Sequence, residues 1–146
     1  MVEKQIDSKD LGIDLASKKE AELFKWLLAC LLFGKPIQQE VAKRTYGAFE
    51  QAGLTHPDAI VQAGWDRLVQ VLDRGHYVRF DYSTATKLLE VSHQLKARYG
   101  TMQNLLSQSK SAQDLSSRLQ AFKGIGPKTA AIFLRDVLQY GWQFQP

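Results

Sequence analysis

The sequence predicts an all-α fold, and three observations predict it. Apolar residues recur at helical spacing in one segment after another, as in Leu115, Leu119 and Phe122, then Ala130, Phe133, Leu134 and Val137. No stretch carries the alternating pattern of a half-buried strand. Gly and Pro fall between the periodic segments, where helices stop and connections are short. The 146 residues suffice for one domain with a real core, built from about eight helices.

Residues 1–17 are polar with scattered Ile and Leu and are expected to form a loosely held arm, leaving 18–146 as the helical domain. Ser17 or Lys18 opens a helix to about Phe33. Its second half has almost no polar face, which places it centrally, surrounded by other helices. Gly34-Lys35-Pro36 breaks it. A second helix follows from Ile37 to Ala52 and stops at Gly53. Pro57 starts a short helix to about Ala63, with Thr55 or His56 as cap, and Trp65 to Arg74 forms another. The loop from Gly75 to Asp81 is rich in aromatics. A long helix runs from about Tyr82 to Tyr99 and ends at Gly100. Thr101 caps a short helix holding Met102, Leu105 and Leu106, and Ser107 to Ser111 reads as linker. The Leu115 helix, a tight turn and a last helix to about Tyr140 complete the chain. Trp26, Leu27, Leu31, Phe49, Leu89 and Leu134 lie on the apolar stripes and are expected to share one core.

The net charge is +4, unevenly placed. Residues 1–22 carry four Lys against six acids, and residues 23–146 carry fifteen Lys and Arg against nine. The basic part therefore holds the last two helices, which suits a polyanion partner. The single cysteine, Cys30, sits in an apolar run and is read as core. One cysteine excludes a disulfide framework and a Cys-based zinc or iron–sulfur site within the chain. His56, His76 and His93 are dispersed without metal spacing. The longest apolar run, Trp26 to Phe33, is far short of the ~20 residues of a membrane helix. The N-terminus is polar and no secretory signal, so a cytoplasmic protein without a membrane partner is expected.

Chemistry concentrates in Phe122-Lys123-Gly124-Ile125-Gly126-Pro127-Lys128-Thr129-Ala130. Two glycines so close together supply positive φ and clear side chains from a turn. Pro127 suits a first helical position. The amides that follow open a helix, and a helix N-terminus attracts anions. Lys123 and Lys128 flank the turn with charge of the matching sign. These parts make a backbone phosphate clamp.

Gly-Ile-Gly-Pro-Lys-Thr-Ala resembles the helix-hairpin-helix DNA-binding motif, here within about 113–138, with small Ala130 at the helix–helix contact. From roughly Glu20 to Trp142 the order and spacing of helices resemble the endonuclease III branch of the helix-hairpin-helix DNA glycosylases. The resemblance implies binding of duplex DNA through its phosphates by Lys123, Gly124, Ile125, Gly126 and Thr129, with little sequence preference. It implies a cation bridging hairpin carbonyls and the phosphate, with no other cofactor. It makes Lys128 the Schiff-base nucleophile of a glycosylase and abasic-site lyase in DNA repair. It places Lys35 in the loop that fills the gap left by a flipped base, and Arg79, with Tyr77, Phe80 and Tyr82, in a second DNA-probing loop; read from the residues alone, the first is equally an ordinary helix–helix connection and the aromatics of the second equally close a core.

The chain departs from that pattern in three ways. It lacks the four cysteines of an iron–sulfur cluster. Lys123 stands where the family usually has Pro, adding a phosphate contact and softening the turn. The family's catalytic Asp lies beyond the loop that Gly141-Trp142 begins, and would fall at or just past Pro146, so either the chain is cut before that Asp, as the apolar tail Trp142-Gln143-Phe144 favours, or this member has lost it. Asp136 cannot replace it, because it lies on the last helix itself. Lys128 thus has two readings. It is the nucleophile, or it only contacts phosphate in a non-catalytic DNA-binding module.

Overall fold

The computed structural model describes residues 5–144 and is helical throughout, with no strand among the described residues. Seven α-helices follow in order: α1 (Glu20–Phe33), α2 (Gln39–Gln51), α3 (Pro57–Arg74), α4 (Asp81–Arg98), α5 (Met102–Gln108), α6 (Ala112–Gln120) and α7 (Pro127–Gln139). The expected count of eight differs only at α3. Gly64 takes φ 80° and ψ 170° inside it, so the two expected segments are there, joined across a kink.

The centre of the molecule is α1. Leu23, Phe24 and every residue from Trp26 to Leu32 are buried, and α2, α4, α5 and α7 pack around the helix. A helix apolar on nearly every side can bury itself only in that way. The Trp26 indole donates to the Phe133 carbonyl across the α1–α7 contact. Trp26, Leu27, Leu31 and Phe49 lie in the shared core, and Leu89 and Leu134 are half-buried against it. Cys30 is fully buried, and burial together with the Asp136 charge pushes its thiol well up.

The N-terminal segment corrects the expectation of a loose arm. Residues 5–17 form two 3-10 turns, Lys9–Leu11 and Leu15–Ser17, and bury Leu11, Ile13 and Leu15. The Ser8 amide donates to Asp136 Oδ2 at 2.8 Å, and Arg135 reaches Gln5 Oε1 and the Ile6 carbonyl. The segment is fastened to α7 by backbone groups, which its side-chain polarity does not reveal. Lys18 takes φ 58°, so α1 begins at Glu20 and not at Ser17 or Lys18. No helix among the described residues is long and apolar enough to cross a membrane.

Candidate nucleic-acid interface

The last two helices, α6 and α7, pack against each other and are joined by residues 121–126. Ser111 caps α6 by accepting from the Asp114 amide, while Asp114 accepts from the Lys110 amide. The turn itself is held by Ile125 N–H to the Phe122 carbonyl and by Gln94 of α4, which accepts from the Lys123 amide and donates to the Lys123 carbonyl. Ile125 and Phe122 are buried, so the turn is anchored from beneath while Gly126, Pro127 and Lys128 remain exposed.

The two glycines have different tasks. Gly124 takes φ 105°, and a Cβ there would press on Lys87 Cγ at 3.1 Å. Positive φ and close approach both demand glycine at that position. Gly126 takes φ −97° and ψ −177°, an extended conformation open to any residue, and a Cβ would meet nothing within 4 Å. The expectation of positive φ thus holds for Gly124 alone. At Gly126 the absent side chain leaves the surface bare, which matters only to something outside the protein.

Around this bare surface the backbone donors lack acceptors. The amides of Gly124, Gly126, Lys128 and Thr129 donate to no acceptor among the described residues. The carbonyls of Gly124 and Ile125 likewise accept no hydrogen bond among the described residues. Six of the seven helices begin beside a carboxylate. Acidic residues occupy the first turns of α1, α2, α3, α4 and α6, and Glu20 accepts from the Met102 and Gln103 amides at the start of α5. The start of α7 has no acid in its first turn and carries Lys128 instead.

The residues singled out from the sequence form two groups. Lys35 sits beside the turn, because the connection after α1 lies against the first turn of α7. A Cβ at Gly34 would collide with Thr129 Oγ1, and Thr129 is buried there, reducing it to a support for the surface. Lys35 Nζ lies 5.1 Å from the centre of the Phe80 ring, and the Arg79 guanidinium lies 5.2 Å from the same ring. Lys123 reaches Glu90 at 3.7 Å with its side chain 82% exposed, so it stays largely available to an external anion. In the 77–82 loop Arg79 and Tyr82 are exposed, but Tyr77 is buried and donates to the Leu32 carbonyl, which removes it from any surface role.

Lys87 of α4 was not found by sequence reasoning. Its stem lies on Gly124, and burial together with the neighbouring Lys35 lowers its amine to about 8. Only the distant contact between α4 and the turn singles it out. Lys128 lines a cleft of about 570 Å³ together with Phe33, Ile37, Ile132 and Arg135. Asp136, one possible acid on α7, is fully buried and committed to Ser8 and Arg135. Among the described residues no group of three or more His, Cys, Asp or Glu could hold a metal ion. No family model, curated protein or solved structure matches the chain.

Proposed function

We propose that this domain binds duplex DNA through its backbone phosphates, with the α6–α7 turn as the seat of one phosphate. The observation that carries the reading is the start of α7. There the amides find no acceptor among the described residues, no acid occupies the first turn, and Lys35, Lys87, Lys123 and Lys128 lie about the turn, Glu90 being drawn to Lys123. A phosphate would supply the missing charge and the missing acceptors together. Contacts of this kind position a duplex without reading its sequence, and affinity falls steeply with salt. The test is fluorescence anisotropy on a short duplex between about 50 and 200 mM salt, with wild type and Gly126→Val. Gly126 lies in open space, so valine there leaves the fold alone and blocks the phosphate. Loss of affinity in the variant supports the reading, and an unchanged, salt-independent affinity rejects it.

The resemblance to base-excision glycosylases adds a chemical step, and the cleft beside Lys128 favours it. The Lys128 amine attacks C1′ of a nucleotide turned out of the stack. The glycosidic bond breaks, the base leaves with its electron pair, and loss of a proton from nitrogen and opening of the sugar give an imine. The exposure of Lys128 favours the other reading, a binding module in which the ammonium only meets phosphate. Borohydride trapping on abasic-site DNA decides between them. A covalent adduct with wild type that disappears in Lys128→Gln establishes the lyase. No adduct with the protein extended past Pro146 to include the expected Asp, alongside intact binding, leaves the module.

A further inference from the structure

Three of the four large hydrophobic side chains exposed among the described residues lie at one corner, where α3 meets the start of α4. They are Trp65 of α3, Val78 of the 3-10 turn Val78–Phe80, and Tyr82 of α4; Leu138 is the fourth. Single apolar residues scattered on a surface need no explanation, but a cluster does. Trp65 and Tyr82 are 37% and 63% exposed, yet their ring centroids stand 5.1 Å apart, tilted by 43°. Thr86 ties the two together. Its hydroxyl accepts from the Trp65 indole at 3.1 Å and donates to the Tyr82 carbonyl at 3.1 Å. The indole is thus fixed in place while part of its surface stays in water.

A chain of contacts joins this corner to the α6–α7 turn. Gly34 packs against Thr129 in the first turn of α7, and its neighbour Lys35 reaches the Phe80 ring at 5.1 Å. Arg79 lies over the same ring at 5.2 Å, and Tyr82 follows two positions after Phe80. Arg79 is exposed, and neither it nor Lys35 makes an ion pair with a carboxylate among the described residues. The acids of the corner, Asp66, Asp73 and Asp81, are matched in number by Arg67, Arg74 and Arg79, so Lys35 leaves the balance positive. Fixed rings beside such cations suit one class of ligand, because cations take phosphates and rings take the faces of bases. Inside a duplex those faces are already stacked on one another, so only unpaired bases can meet these rings.

We propose that Trp65 and Tyr82 form a stacking platform for unpaired nucleobases, and that the domain therefore prefers a duplex with a single-stranded arm to a blunt one. Lys35 and Arg79 take phosphates of that arm, between the platform and the α6–α7 turn. The inference rests on the phosphate-binding reading above and adds a single-stranded segment to the ligand. Stacking on an aromatic face is indifferent to which base is stacked, in keeping with phosphate contacts that read no sequence. The Trp65 ring is held before any ligand arrives, so little side-chain freedom is lost on binding. Trp65 is the chief contributor, since it offers the larger ring, and it lies on α3, outside the 77–82 loop.

The test compares a blunt duplex with the same duplex carrying an unpaired arm of about ten thymines. Anisotropy gives both affinities for the full chain as wild type, Trp65→Leu, Trp65→Phe and Tyr82→Ala, each beside its own unfolding curve. Tryptophan emission reports stacking directly, because Trp26 is buried and Trp65 is exposed, and the signal missing from Trp65→Phe belongs to Trp65. The arm should tighten wild-type binding about tenfold and quench Trp65, and the blunt duplex should leave that emission alone. Trp65→Leu and Tyr82→Ala should each remove most of the gain from the arm, while Trp65→Phe, which keeps a ring, should retain it. An arm that adds no affinity, or a gain that survives in both Trp65→Leu and Tyr82→Ala, overturns the platform. A Trp65→Leu protein that differs from wild type only in self-association, read by sedimentation, also overturns it and makes the corner a contact between copies of the chain. The two readings fail separately. Unchanged duplex affinity in Gly126→Val rejects the α6–α7 clamp, whereas arm-dependent quenching of Trp65 in that same variant still supports the platform.

Discussion

The starts of α5 and α7 meet the same physical demand in opposite ways. Each exposes first-turn amides that an anion would satisfy. At α5 the chain supplies the anion itself. Thr101 caps the Asn104 amide, and the Glu20 carboxylate, from the start of α1, accepts from Met102 and Gln103 at 2.7 and 2.8 Å. At α7 the cap position is Gly126, which has no side chain, and the first turn carries Lys128 and no acid. The first end is finished by folding and contributes to stability. On the proposed reading the second is left for an outside anion, and its cost to the fold is small where water reaches the exposed residues Gly126 to Lys128.

The comparison can be broken most sharply by giving α7 the acid that it lacks. Lys128→Glu places a carboxylate at the first turn and removes a cation. Duplex affinity should fall about a hundredfold, since the charge at a phosphate contact changes sign, a net change of two units. An anisotropy titration reads this directly, and retained affinity would show that the α7 start is not where phosphate sits. The converse change at α5 comes next in size. Glu20→Ala leaves the Met102 and Gln103 amides without their acceptor and should lower stability by about 1–2 kcal/mol in urea melts, with duplex affinity unaffected. The smallest effect sharpens the contrast. Lys128→Glu should raise stability by about 0.5 kcal/mol in the same melts, because an acid now faces the positive end of the helix. A loss of stability there would mean that the open start of α7 is not electrostatically hungry.

Much of the fold was legible because helical periodicity and Gly–Pro punctuation are local. The apolar girth of α1, the break at Gly34 and the Thr101 cap all carry their reason within a few residues. The turn was legible for the same cause, since Gly124, Gly126 and Pro127 announce a bend followed by a helix start. What the bend demands of each glycine was not. Gly124 has a second reason to be glycine, because Lys87, thirty-seven positions away, packs on it, and that contact is invisible in a single sequence. Lys87 escaped notice on the same ground. The docked N-terminal segment escaped because its main tie is a backbone amide, that of Ser8, to Asp136. Any residue type provides an amide, so composition carries no trace of it. The resemblance places Tyr77 in a DNA-probing loop, and a single sequence does not separate that from an aromatic that closes a core; Tyr77 is buried and donates to the Leu32 carbonyl.

The central claim is that the bare surface at Gly126 exists for a phosphate. The measurement that tests it most directly is duplex affinity of Gly126→Val beside its own unfolding curve. Gly126 is extended, exposed and without neighbours within 4 Å of a Cβ, so stability should stay within about 0.5 kcal/mol of wild type. Affinity at low salt should fall at least tenfold, and its salt dependence should flatten as the phosphate contact is lost. Unchanged stability with unchanged affinity would contradict the account, for the one substitution that touches nothing in the protein would then touch nothing in the ligand either.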